Sequence, residues 1–357
     1  MRHDYGSLLG FDFYGTGNIG DDLMLDGFLG AGGAADTIPL QCVIPDERRI
    51  ATLARRFPAI QWTSAEEKHY QRWIGVGDTP IQCVAGPWFL DHLKRSLSLN
   101  NFDHAAMVGI GVEREAIGLA TEYAPLLRKI GCIGTRDEQS AELLIREFGC
   151  GKDQVVIGED LAHASPAIHA LKGGKPLSGR KYTLGAVICG GDGLPRSSLA
   201  EFRRWLAGRD LQSAAMVATE VRRLPYREVD LHRRWTRKSF WSWRPRLSVD
   251  LIAPPYWSAV TVQALIEHFC DIQCVLSSRY HGVLTAAWLG CRVAAIARGS
   301  KIEALARDLD IPVVGRDFRV RDLDRLYHEA HPVDLRKLDA FADRARTAVK
   351  QVEYLSR

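Results

Sequence analysis

No two cysteines in the 357-residue chain have the CxxC spacing, and no second pair accompanies Cys270 and Cys274, which stand four apart. A four-ligand structural zinc site is therefore not expected, and no metal is assigned. No run reaches the roughly 18 apolar residues that a bilayer span needs, and the opening MRHDYGSLLGFDFYG lacks the apolar core of a secretory signal. These absences point to a cytoplasmic, reduced protein. Cys83, Cys189, Cys274 and Cys291 sit in apolar runs and read as small buried hydrophobes. Excess charge is missing too: 47 Lys and Arg against 43 Asp and Glu leave +4, which gives no reason to expect nucleic acid as a partner. What is present is a 46% hydrophobic, 25% charged composition, that of a globular chain. The length exceeds what one hydrophobic core usually organises, so two domains are expected.

Short apolar runs alternate with helix-patterned stretches. They begin at Leu8, Ile38, Ile81, Ala105 and Gln154, and the rhythm predicts parallel strands with helical crossovers. In DEQSAELLIREFG, Ala141, Leu144, Ile145 and Phe148 share one helical face and Gly149 supplies a stop. From Leu171 the stretch LKGGKPLSGRK has no hydrophobic period and reads as a linker. A second series of strand-like runs follows from Thr183, Ala214, Cys270, Cys291 and Ile311. The expected fold class is α/β, with one Rossmann-like domain over 1–172, a second over 180–334, and a final helix over 335–357 returning to the first. Residues 222–246 concentrate arginine with Trp235, Trp241 and Trp243. They read either as a solvated insertion or as a flap for an anionic or lipid-linked ligand at a membrane surface.

After the first run comes Gly15-Thr16-Gly17-Asn18-Ile19-Gly20-Asp21-Asp22, then an apolar helix. Formally this contains GxGxxG. A dinucleotide pyrophosphate would lie over the helix N-terminus, where Asp21 and Asp22 would repel it, so that fingerprint is disfavoured. Two readings remain. The carboxylates cap the helix, or one of them, Asp21 by preference, is a general base for an attacking hydroxyl.

In the second half, Ser277-Ser278-Arg279-Tyr280-His281-Gly282 lies between a strand and an apolar helix, which puts His281 at a strand's carboxyl end, the edge where open α/β sheets bind ligands. Twenty residues on, Ser300 and Glu303 have capping-box spacing around Lys301, and in the first half Thr135 and Glu138 have it around Arg136. Cations at helix N-termini oppose the macrodipole, which suggests an anionic ligand; the alternative is ordinary surface placement, or for His281 a hydrogen-bonded core histidine.

The ordered set GNIGDDL, TRDEQSAELL, VVIGEDLA and SSRYHGVLTAAWLGCRVAAIA, with the lysine opening the next helix, resembles the polysaccharide pyruvyl transferase family. The resemblance implies two Rossmann-like domains facing a cleft, as in GT-B glycosyltransferases, and a soluble enzyme that builds a pyruvate ketal on a sugar from phosphoenolpyruvate. It makes Arg136, His281 and Lys301, with Arg279, the donor-binding residues. It places Asn18, Gly20, Asp21 and Asp22 in an acceptor-side loop, and His281 and Asp21 are the catalytic choices. No cofactor beyond the donor substrate is implied, and the acceptor is a saccharide, lipid-linked or nucleotide-linked, of exopolysaccharide or cell-surface glycan synthesis. The family's glycine triplet is replaced here by Ala85-Gly86-Pro87-Trp88, which alters the expected acceptor pocket. Two other functions fit the same pattern: a nucleotide-sugar glycosyltransferase of like architecture, and a non-catalytic saccharide-binding or assembly protein.

Overall fold

A computed structural model describes residues 7–11, 13–32, 40–44, 46–64, 70–77, 81, 90, 91, 93, 94, 97, 102–189, 193–209, 211, 213–221 and 249–355. The chain forms two compact units. One comprises Met1–Thr16, Asp21–Pro166 and Asp339–Arg357, the other Gly17–Gly20 and Ala167–Leu338.

The first unit is built on β1 (Ser7–Leu9), α1 (Ile19–Gly30), β2 (Leu40–Val43), α2 (Glu47–Arg56), β3 (Ile60–Thr63), β4 (Tyr70–Val76), β5 (Phe102–Ile110), α3 (Ala120–Leu127), β6 (Cys132–Thr135), α4 (Glu138–Arg146) and β7 (Val155–Ile157). Its seven strands pair in the order β3-β2-β1-β4-β5-β6-β7, all parallel. Fully buried strands read as apolar runs, which is why most of them show in the sequence. The run from Ile81 is an exception. Ile81 makes an isolated bridge with Val112, and the rest of that run, with Ala85 to Trp88, lies outside the described residues. The strand beside β1 is instead β4, whose Gln71 and Arg72 interrupt the apolar pattern. Arg72 is tolerated there because its Nε donates to Ser7 Oγ at 3.2 Å.

The second unit contains β8 (Tyr182–Val187), α6 (Arg196–Gly208), β9 (Ala214–Val217), β10 (Val249–Ile252), α7 (Gln263–Ile266), β11 (Ile272–Ser277), α8 (Tyr280–Trp288), β12 (Arg292–Ala297), α9 (Ser300–Leu309), β13 (Val313–Gly315) and α10 (Val320–Glu329). Its six strands run parallel in the order β10-β9-β8-β11-β12-β13. One face of this sheet buries Phe202, Trp205, Leu276, Ile296 and Leu323 in a common core. Both sheets have the Rossmann order, in which the strands grow outward in two directions from a central pair.

The stretch read as a linker is a packed part of the second unit. The buried Arg180 donates to the carbonyl oxygens of Lys175, Ile272 and Leu289, each at 2.8 Å, and Gly173 N–H donates to Trp288 O at 2.9 Å. The chain passes between units at Pro166 and Ala167, where the short helix α5 (Pro166–Ala170) begins. At the other end, α11 (Leu335–Leu355) joins the first unit from Asp339 onward. A Cβ on Gly158 would lie 2.5 Å from Ala348 Cβ, and one on Gly134 would lie 2.9 Å from Val352 Cγ2, so both glycines admit this helix.

Cys189, Cys274 and Cys291 are buried, and burial pushes Cys274 and Cys291 up to about 12, far from reactive thiolates. Among the described residues no helix is long and apolar enough to cross a membrane.

Candidate active site

Open parallel sheets bind ligands beyond the carboxyl ends of their strands, where the strand order reverses. That point lies between β1 and β4 in the first sheet and between β8 and β11 in the second. The glycine loop leaves β1, and Ser277–Gly282 leaves β11. Both motifs therefore fall at the topologically favoured position of a sheet.

Within the glycine loop, Gly15 and Gly17 have φ of 72° and 105°, a region closed to most side chains. Gly15 N–H donates to Asp22 Oδ1 at 3.0 Å, and the other Asp22 oxygen pairs with the Arg56 guanidinium, both side chains being fully buried. Asp22 is thus a structural pivot that closes the loop onto α2, buried within the stretch read as the acceptor-side loop. Asn18 Oδ1 accepts from Gly20 N–H at 3.2 Å and caps the start of α1. Asp21, partly exposed, occupies the first turn of that helix.

Residues Gly17 to Gly20 group with the second unit rather than with the domain that follows them in sequence. Ile19 N–H donates to Thr219 O at 3.0 Å, Val221 N–H donates to Gly17 O at 2.7 Å, and Asn18 bridges Glu220 in antiparallel fashion. Backbone pairing of this kind leaves no residue-type signature in the sequence.

His281 is the second residue of α8, and it lies against Gly20. A Cβ built on Gly20 would stand 2.1 Å from His281 Nδ1 and 2.7 Å from Cγ and Cε1, so only glycine admits the ring. The N-termini of α1 and α8 thereby both border the imidazole. Tyr280 meets the same ring edge-on, with centroids 5.2 Å apart, and Lys301 Nζ lies 5.8 Å from the Tyr280 ring centre, within cation–π range. Strands β11 and β12 pair directly, which sets the first turns of α8 and α9 side by side.

Two local details differ from the sequence reading. Helix α9 begins at Ser300, with extended Gly299 before it and no side-chain cap, so the Ser300–Glu303 box is not formed although Lys301 is in the first turn. In the first unit, Asp137 rather than Thr135 caps α4, accepting from Ser140 N–H at 2.6 Å. Arg136 therefore stands just before the helix, buried, with its Nε donating to Asp137 Oδ2 at 2.9 Å. A cap carboxylate beside it offsets the macrodipole cost that the sequence reading attached to this arginine. Arg279, in the N-cap position of α8, is ion-paired with the buried Glu220.

The second unit thus brings together Asn18, Gly20, Arg279, His281 and Lys301, while Asp21, Asp22 and Arg136 belong to the first. Among the described residues no group of three His, Cys, Asp or Glu side chains is placed to hold a metal ion. The arginine and tryptophan segment at 222–246 lies outside the described residues.

Two acidic residues with no role assigned from the sequence emerge from the structure. One is Glu220. The other is Glu159, just beyond β7, where burial pushes its carboxyl up to about 7 even though Arg344 Nη2 donates to it at 2.6 Å. The ordinary value is 4.5, so the folded state retains the proton longer than the unfolded one, and stability falls as pH rises from about 4.5 through about 7. Glu159→Gln cannot ionise and should remove that fall. Urea unfolding should show the variant more stable than the parent by about 1–3 kcal/mol at pH 8 and much closer to it near pH 5. A constant difference across pH would show that Glu159 does not titrate in this range.

Two Rossmann-like α/β units define a GT-B-like architecture, and solved structures share it across nearly the whole chain. Alr3699/HepE of Anabaena, in complex with UDP and glucose, is 12% identical, covers 99% of this chain and 97% of its own, and superposes with a TM-score of 0.58. MnaA of S. aureus, solved with UDP, gives 11% identity, 98% and 95% coverage and a TM-score of 0.59. The UDP-GlcNAc 2-epimerase of Neisseria meningitidis, bound to UDP-GlcNAc, gives 9%, 98%, 99% and 0.59. At these identities the likeness is one of fold. No curated protein matches the chain in sequence. The chain belongs to the polysaccharide pyruvyl transferase family, a transferase family, whose sequence model matches residues 18–300. Asn18, Gly20, Asp21, Arg136, Arg279 and His281 fall inside the match, and Lys301 lies one residue beyond it.

Proposed function

We propose that the protein transfers the pyruvyl group of phosphoenolpyruvate to two hydroxyls of a saccharide, forming a ketal and releasing phosphate, in exopolysaccharide or cell-surface glycan synthesis. The observation that carries the reading is the placement of His281 and Lys301 on the first turns of adjacent helices at the carboxyl rim of one sheet. Helix N-termini with a point cation beside them suit a compact, highly charged anion. Family membership supplies the reaction class.

In this reading His281, as imidazolium, contacts the donor phosphate and supplies a proton. Lys301 neutralises phosphate charge, and Arg136, with its planar fork, takes the donor carboxylate. Protonation of the methylene carbon makes the adjacent carbon electrophilic. One acceptor hydroxyl attacks that carbon as Asp21 accepts its proton, the carbon–phosphate oxygen bond breaks, and the second hydroxyl closes the ketal. Of the two hydroxyl protons, one is balanced by the new methyl group and one leaves with phosphate, so no redox cofactor enters. Arg279, paired with Glu220 just before α8, is assigned to donor binding with His281 and Lys301. The acceptor is proposed to be lipid-linked or nucleotide-linked, and the protein to work in the cytoplasm at the inner face of the membrane.

The UDP ligands of the structural relatives favour one second reading, transfer from a nucleotide sugar. Incubation with phosphoenolpyruvate and a panel of saccharide acceptors separates the two. The proposal expects a mass gain of one pyruvyl ketal and equimolar phosphate; release of a nucleoside diphosphate from a nucleotide sugar would replace it. His281→Ala should lower phosphate release by about 100-fold or more while melting like the parent. Undiminished release would remove His281 from the chemistry.

A further inference from the structure

Glu220 follows β9, carries no recognisable motif and is 5% exposed, an uncommon place for a carboxylate unless it is paired. Its side chain pairs with Arg279, the residue that precedes the first turn of α8. Its backbone bridges Asn18, the residue that caps α1. The neighbouring pairs Ile19 N–H to Thr219 O and Gly17 O to Val221 N–H make this a short two-stranded clamp. Arg279 is further fixed by Ser277, whose Oγ accepts from Arg279 N–H at 3.0 Å and donates to Arg279 O at 2.8 Å. The residue that holds Arg279 at the start of α8 therefore sits in the middle of the short strand whose flanking residues, Thr219 and Val221, hydrogen-bond the glycine loop at the start of α1.

We propose that Glu220 is a positioning residue for His281. Its carboxylate holds Arg279 while its neighbours Thr219 and Val221 hold the glycine loop, which keeps the ring seated against Gly20, where the space admits no side chain. The inference rests on the donor chemistry proposed above only in its binding readout; the seating of the ring is measurable without any substrate.

The test compares the full-length protein with Glu220→Ala and Glu220→Gln, using the His281 ring signals in carbon-13-labelled NMR spectra, phosphoenolpyruvate titration calorimetry and thermal melting. Glutamine keeps an acceptor for Arg279 and alanine does not. Because Arg279 is 18% exposed, water can reach it when Glu220 is removed, and the alanine variant is expected to fold. The expected result is a displaced His281 ring signal and a donor affinity about 10- to 100-fold weaker in Glu220→Ala, with Glu220→Gln returning both toward the parent. Unchanged ring signals in Glu220→Ala, whatever its melting temperature, would overturn the proposal, and so would tighter donor binding. A parent protein that binds no phosphoenolpyruvate would instead count against the donor assignment, while the ring signals would still decide the role of Glu220.

Discussion

Asp22→Ala should cost about 3–5 kcal/mol of folding stability, because it leaves the Arg56 guanidinium buried without its counter-charge. The Gly15 amide loses its acceptor in the same step. Asp21, one residue earlier and partly exposed, has a different expectation: Asp21→Asn should stay within about 1 kcal/mol of the parent in urea unfolding yet release phosphate far more slowly. Replacing Asp22 and Arg56 together with apolar residues should recover part of the loss, since a buried pair is expensive to break but not always expensive to replace. If Asp22→Ala unfolded at the parent's midpoint, the pair would not be the pivot of the loop. If Asp21→Asn turned over normally, the general-base role would have to move elsewhere.

The second large effect is expected at Gly20. A methyl group there would sit 2.1 Å from His281 Nδ1, well inside contact distance, so the imidazole must swing away in Gly20→Ala. Alanine is otherwise favourable within a helix, and the melting temperature should change by no more than about 4 °C. Phosphate release should nevertheless fall by about 100-fold, the scale of a displaced catalytic group. A variant with full turnover would mean that the seat of the ring is irrelevant to the chemistry.

Most of the architecture is legible in the sequence because a parallel sheet buries both faces, so its strands appear as apolar runs spaced by amphipathic helices. Strand β4 escapes that pattern because Arg72 is buried with a hydroxyl partner rather than excluded from the sheet. Helix starts are less legible. Thr135 with Glu138 and Ser300 with Glu303 have the spacing of a capping box, yet Asp137 and Gly299 hold the cap positions, because local backbone geometry decides among neighbouring candidates. The rim positions of His281, Lys301 and Arg136 follow from strand–turn–helix order alone. What the sequence hides is the company they keep. Glu220 stands opposite Asn18 in a bridge made by its neighbours' backbone atoms and pairs with Arg279 across 59 positions, and neither relation has a period or a motif. Asp21 and Asp22 look equivalent as letters, and burial separates them.

The first unit draws on three stretches of chain, the last of them Asp339–Arg357. A ribosome delivers that stretch only after the whole of Ala167–Leu338, which belongs to the second unit. Until then the nascent first sheet has no cover over Gly134 and Gly158, where Val352 and Ala348 come to rest. The first unit is therefore completed only after the second has been synthesised, and a chain stopped before Asp339 would leave that surface bare and prone to association.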